Sequence, residues 1–340
     1  MNGPATNAPE APSPEPRAPR ERRVTIALAL EQSGPILALA VLIVLVLAFV
    51  PAARTWENWR NISRQTAVVA ILAAGETVVI VSGGIDLSVG SLIAFTGVLS
   101  GLAMRISGVP PALAFPLGIL VALMSGAVAG LVSGLVTELA RIPSFVVTLG
   151  MMGIASGTAK LACNGMSVSG LPPEVSGLGQ AHVLVVVPVA GLLAIGVTIV
   201  GQIVLGRTRF GRTVYALGGN REAARLSGIP VKKVGVACFV LCGMLAGLAG
   251  IVSMARMGSA QSTAGEGLEL QAVAAAVIGG TSLMGGEGSI AGSFIGALIM
   301  GIIATTLDLV GVSQFAQPVV IGSLIIVAVI ADRVRRRGHA

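Results

Sequence analysis

The sequence predicts an all-α polytopic membrane protein of about ten transmembrane helices. Three observations predict it. Of 340 residues, 54% are hydrophobic and 11% charged, with a mean hydropathy of +0.91, whereas soluble domains carry about 25% charged residues. Apolar stretches of about 17–25 residues, the length a bilayer requires, recur along the chain. Glycine is abundant (46 residues) and aromatics are scarce (3%). That mix suits close helix–helix packing in lipid and fits poorly the aromatic girdles and alternating pattern of a β-barrel.

The elements follow in order. Residues 1–23 are rich in Pro, Ala, Glu and Arg without apolar periodicity, so the head, taken as 1–30, is expected to be a disordered basic tail. Arg17, Arg20, Arg22 and Arg23 precede the first apolar span. That span is too long, and too many follow, for a cleaved signal peptide. A transmembrane domain is expected over 31–333, with spans near 34–53, 64–83, 87–107, 112–135, 144–162, 183–204, 233–254, 270–286, 289–309 and 315–332. The link 206–232 and the tail 334–340 are both basic.

Lys and Arg fix an expected orientation. The tail, the link after span four (Arg141), the link after span six (Arg207, Arg209, Arg212, Arg221, Arg225, Lys232, Lys233) and the C-terminus (Arg333, Arg335, Arg336, Arg337) hold most of the 22 basic residues. Both termini are therefore expected in the cytoplasm. The excess charge of +7 is read as topology and not as a nucleic-acid surface. Trp56 and Trp59 are expected in the first outer link, where amphipathic rings settle. Cys163, Cys238 and Cys242 lie in or beside spans and read as small packing residues. The only histidines are His182 and His339.

The link after span six holds the most informative segment, GGNREAARLSGI at 218–229. Asn220 is a good N-cap, and Glu222 stands in the first turn where the helix dipole favours a carboxylate. Ala223 and Ala224 are strong helix formers. Gly228 suits a left-handed C′ position, and Pro230 ends the helix. So short a helix is marginal alone and persists only when packed.

EAA-x-x-x-G at 222–228 resembles the loop of permease subunits in binding-protein-dependent ABC importers. Its context, 210–234, is similar to the ribose-type sugar permeases of that group. GGIDLSVGS at 83–91, ARIPSFVVTLG at 140–150, ARMGSAQSTAGEGLEL at 255–270 and GGTSLMGGEG at 279–288 are of the same type, and the resemblance covers about 35–333. It implies a type II ABC importer-like permease of the bacterial inner membrane that moves a monosaccharide or polyol. It implies three partners: a cytoplasmic ATPase, a periplasmic or lipid-anchored sugar-binding protein, and a second, identical or related, permease subunit. Asn220, Arg221, Glu222, Ala223, Ala224, Arg225, Leu226 and Gly228 would then form the ATPase-coupling helix. The chain lacks the phosphate-binding pattern G-x-x-x-x-G-K-[ST]. No cofactor is therefore expected on this chain, and ATP and Mg belong to the partner ATPase. Where many relatives carry a basic residue, this chain has Glu287, so no contact role is given to it.

Three residues are candidates for the pore or its gate. Glu76 lies near the middle of span two, and an intramembrane carboxylate is a functional hypothesis by default. It is read as isolated, lining the pore or paired with a base such as Lys160. Asp86 and Ser88 lie in the break between spans two and three, where Asp86 is placed to cap the following helix or to gate. The spacing G-G-x-x-L-x-x-G recurs at 83–90 and 279–286, as a trace of an internal repeat or a chance match of glycines. The alternative reading is an ion-coupled secondary transporter of a small polar solute with Glu76 as its coupling carboxylate. A membrane enzyme would need a constellation of catalytic groups that the sequence does not show. A branched-chain amino-acid permease is disfavoured by the segment 83–91.

Overall fold

A computed structural model describes residues 20–181, 188–313 and 315–337. Within them the chain forms thirteen α-helices in the order α1 (Arg20–Phe49), α2 (Trp56–Val81), α3 (Val89–Met104), α4 (Pro111–Ala140), α5 (Ser144–Ala162), α6 (Pro173–Gln180), α7 (Val189–Arg207), α8 (Arg209–Gly219), α9 (Arg221–Leu226), α10 (Val231–Met257), α11 (Leu268–Ile278), α12 (Ile290–Leu309) and α13 (Gln317–Arg337). Six of these, α2, α4, α5, α7, α10 and α12, are long and apolar enough to cross a membrane. Four shorter apolar stretches lie in α1, α3, α11 and α13.

Helix α2 is the centre. Its apolar window is 89% buried, as expected of a helix hydrophobic all round. It packs against α10, α12, α7 and α11. The peripheral α5 and α7 bury only 22% and 17% of theirs. The tightest pairing is α4 with α10. A Cβ at Gly126 would fall on the Gly243 carbonyl, one at Gly243 on the Gly126 carbonyl, and one at Gly130 on the Phe239 carbonyl. Small residues at four-residue spacing thus let two backbones meet where lipid supplies no hydrophobic drive.

The links after the even-numbered spans gather at one end. Residues 82–84, 137–138, 141–144, 221–222, 225 and 231–232 line one cavity there, and the Gly286 N–H donates to the Val81 carbonyl at 2.9 Å. At the other end Val168 pairs with Ala260 as an isolated antiparallel bridge, Lys160 lies 3.6 Å from Glu266, and Gly179 abuts Ala255.

Several expectations are corrected. Trp56 and Trp59 belong to the first turn of α2 and not to a link, because Thr55 caps that helix by accepting from the Asn58 N–H. Span eight was expected over 270–286. Its helix α11 has 11 residues, about 16 Å at 1.5 Å per residue, and stops where Gly280, Gly285 and Gly286 turn with positive φ. Helix α1 begins at Arg20, inside the expected tail. The outer link holds α6 and the inner link holds α8, helices that the span pattern passed over. His182 and His339 lie outside the described residues.

Candidate functional site

Helix α9 is built as its sequence demands. The Asn220 side chain accepts from the Ala223 N–H at 2.9 Å, and Gly228 closes the helix at φ +81. Ile229 N–H returns to the Ala224 carbonyl at 3.1 Å. Ala224 is the buried contact of this short helix, whereas Leu226 is 74% exposed. The motif therefore presents one apolar knob and one charged pair outward. Arg225 Nε donates to Glu222 Oε2 at 3.0 Å. That hydrogen bond holds the Glu222 carboxyl below its ordinary range and raises Arg225. The stabilisation it gives is present above the unfolded carboxylate pKa and is lost as pH falls through the lowered one. Both side chains are exposed, so the pair is weak. Asn220→Ala removes the cap at a cost of about 0.5–2 kcal/mol. The expected result is lower uptake with an unchanged amount of membrane-inserted protein, measured by transport and quantitative blotting.

What anchors α9 was not legible in the segment 218–229 itself. Arg221 reaches back to Glu138 near the end of α4, its Nη1 donating to Oε1 at 3.2 Å and its Nη2 to Oε2. Glu138 is 4% exposed, and the absent side chain of Gly235 on α10 makes the notch that holds it. A bidentate Arg–carboxylate pair is geometrically specific. It ties the first residue of α9 to the α4–α10 pair. Immediately before α9, Gly218 sits so close to Val81 and Gly286 that a Cβ would collide with both backbones. Tyr215, whose hydroxyl burial pushes up in pKa, donates to the Gly288 carbonyl at 2.6 Å. Three glycine segments, 83–84, 218–219 and 285–286, therefore converge at the root of α9.

Glu138, Arg141, Arg221, Arg225 and Lys232 line a cavity of about 830 Å³ beside this root. Ser82, Gly83 and Gly84, the start of the break, line it too. Glu76 and Asp86 are both fully buried. Glu76 is not isolated, as the sequence had implied, for its carboxyl accepts from the Asp86 N–H at 3.1 Å. Nor does it pair with Lys160, which takes Glu266 instead. One carboxyl oxygen of Glu76 and one of Asp86 have no hydrogen-bond partner. Asp86 Oδ1 accepts from the Ser88 N–H at 2.9 Å and hydroxyl at 2.5 Å. Asp86 thus caps Ser88, one residue ahead of α3, and not the helical amides. Ser144 and Thr148 on α5 receive the N–H groups of Ile85 and Leu87 at 2.9 and 3.1 Å. The break is therefore held by side chains on both flanks. Cys238 and Cys242 are buried against α2 as packing residues, with Cys242 filling the space beside Gly75.

The family described as "Branched-chain amino acid transport system / permease component" matches residues 58–329. The ribose import permease protein RbsC of Escherichia coli K12 is 42% identical over 315 residues, 92% of this chain and 96% of the relative. The Bacillus subtilis protein of the same name is 39% identical over the same length. The D-allose transport system permease protein AlsC of E. coli K12 is 39% identical over 279 residues, 82% of this chain and 84% of the relative. No solved structure matches. The chain therefore belongs to the branched-chain amino acid transport system / permease component family, as a multi-pass inner-membrane permease subunit of an ATP-binding-cassette importer and not as an enzyme.

Proposed function

We propose that the chain imports a monosaccharide or related polyol, as one of two identical or related permease subunits of a type II ABC importer, and that α9 is its coupling helix. The observation that carries this reading is the anchoring of an exposed, capped α9 to the membrane helices through Arg221–Glu138. Such a handle transmits a pull only if its far end is gripped. A cytoplasmic ATPase, which holds ATP and Mg, grips it through Asn220, Glu222, Ala223, Arg225, Leu226 and Gly228. A periplasmic or lipid-anchored binding protein delivers the sugar on the opposite side.

The ten apolar stretches correspond one to one with ten spans, the short ones being completed by irregular backbone. The gathering of the even links at one basic end supports both termini in the cytoplasm. The segments 1–30 and 334–340 are its basic tails, and 206–232 the link that carries the coupling helix. Glu76, Asp86 and Ser88 form the break beside the path. The relatives named for ribose and allose favour sugar over an amino acid.

Leu226→Asp tests the grip. It replaces the exposed apolar knob with a charge and leaves the buried Ala224 contact intact. The ATPase that co-purifies with the wild-type chain in mild detergent is expected to be lost, with membrane insertion unchanged. Retention of the ATPase by Leu226→Asp and by alanine variants across 221–228 would remove the coupling-helix assignment. Arg221 and Glu138 supply a second test. Glu138→Arg or Arg221→Glu alone leaves a buried or half-buried charge without its partner, at about 3–5 kcal/mol for a buried pair. ATP-driven uptake is expected to fall in each single variant and to return in part in the exchanged pair.

A further inference from the structure

Helix α5 carries a polar stripe that the coupling reading does not use. Ser144, Thr148, Met152, Ser156 and Lys160 recur every four residues, so each neighbours the next in a row that winds about 40° per step around the helix. Its lower half holds the break, through Ser144 and Thr148. At its far end Lys160 pairs with Glu266. Between these, Met152 and Ser156 line a cavity of about 290 Å³ with Ser91, Ser262, Glu266 and Glu269.

The backbone around this cavity is irregular between α10 and α11. The segment 258–267 leaves α10 at the level of Gly101, where Ala260 packs, and reaches the level of Gly90 before α11 begins. Non-helical backbone at membrane depth is tolerated only where it is buried in protein or lines a water-filled space. Gly90 and Glu269 fit each other. A Cβ at Gly90 would overlap Glu269 Oε2, so the glycine of the segment 83–91 makes room for this carboxylate.

We infer that this cavity is the point in the translocation path where a neutral polyhydroxylated solute is held. The inference rests on the permease reading and adds the site to it. Carboxylate and serine oxygens accept from sugar hydroxyls, the serine hydroxyls also donate, and Met152 and Ala94 offer apolar surface to a sugar's C–H face. Neither Ser156 nor Ser262 has a side-chain hydrogen bond to another described residue. An amino-acid carboxylate finds no free cation, because Lys160 is already opposed by Glu266. The break lies one step along α5 from this cavity. Ser144 and Met152 stand about 12 Å apart along α5. At the level between them Thr148 is bonded to Ile85 and Leu87. Residues 85–87 thus lie at a level between the small cavity, which Met152 lines, and the 830 Å³ cavity, which Ser144 lines.

The test compares Ser156→Cys with Ile154→Cys in the full chain, reconstituted in lipid with its ATPase and binding protein. Ile154 lies two residues away on the outward face of α5 and is exposed. The wild type, whose three cysteines are buried, is the blank. A charged, water-soluble methanethiosulfonate reagent is expected to modify Ser156→Cys at least about tenfold faster than Ile154→Cys, since lipid excludes the charge. Modified Ser156→Cys is expected to stop uptake while the complex still hydrolyses ATP. Equal labelling of the two positions, or undiminished uptake after Ser156→Cys is modified, overturns the site. If the permease reading itself fails, the unmodified wild-type complex shows no ATP-dependent uptake, a result that does not depend on labelling.

Discussion

Gly243→Ala is expected to destabilise the whole membrane domain, and Gly243→Leu to prevent its assembly. Gly243 and Gly126 face each other so closely that a Cβ on either would fall on the other's carbonyl oxygen. Neither backbone can withdraw freely. On one side Gly130 and Gly134 are pressed against Phe239 and Val236, and on the other Gly247 lies against Ala122. Overpacking a tight core costs about 1–3 kcal/mol, and here the obstacle is backbone and not a flexible side chain. The measurement is a thermal midpoint in detergent, followed by the loss of monodisperse protein. Gly150→Ala on α5 is the control, because nothing lies within 4 Å of its new Cβ. That variant is expected to match or slightly exceed the wild type, since alanine favours a helix over glycine by about 0.5–1 kcal/mol. Equal midpoints for Gly243→Ala and Gly150→Ala would mean that the α4–α10 contact is not the keystone described here. The same contact carries a functional consequence. Glu138 lies on that pair, so loosening it should weaken the anchorage of α9 before the chain is lost.

The second large effect falls on Glu76. Its carboxyl accepts the Asp86 N–H and so fixes the break between α2 and α3 from the core side. Among the described residues it has no ion-pair partner. Glu76→Gln keeps an acceptor oxygen in place without a charge, and uptake by the complex is expected to persist near the wild-type rate. Glu76→Leu leaves the buried N–H unsatisfied, at a cost of about 1–3 kcal/mol, and uptake is expected to fall by roughly tenfold or more, with the ATPase still bound. An ion-coupled carrier makes the opposite demand, because its coupling carboxylate must gain and lose charge. Abolished uptake in Glu76→Gln, with insertion and assembly intact, would therefore favour the carrier reading over the positioning role.

The sequence alone carried the class of protein a long way. Low charge and recurrent apolar stretches predicted the helices: six of the expected spans fall on helices long and apolar enough to cross a membrane, and the other four on shorter apolar helices. The capping chemistry of α9 was legible residue by residue, because caps and glycine turns act within a few positions. What misled was local. Glycine-rich link 279–288 reads as apolar in a sliding window, so α11 was drawn too long. Thr55 is a cap whose effect on Trp56 shows only when the first turn of α2 is built.

Other facts were decided by tertiary structure, because they join residues far apart in the chain. Glu138 reads in sequence as one more charge near a span end, and nothing near it names Arg221 as its partner 83 residues away. Glu76 and Asp86 read as separate anomalies until the α2–α3 break folds one over the other. Gly90 reads as one glycine among 46 until Glu269 is seated on it. The composition and periodicity of this chain determined that it is a helical membrane protein, its local signals determined a short capped helix over 221–226, and its motifs carried the resemblance to permeases. Only packing decided what that helix is tied to and where polar groups meet within the membrane. Side-chain pairing in a bundle depends on which helix faces meet, and single-sequence periodicity gives the faces without their neighbours.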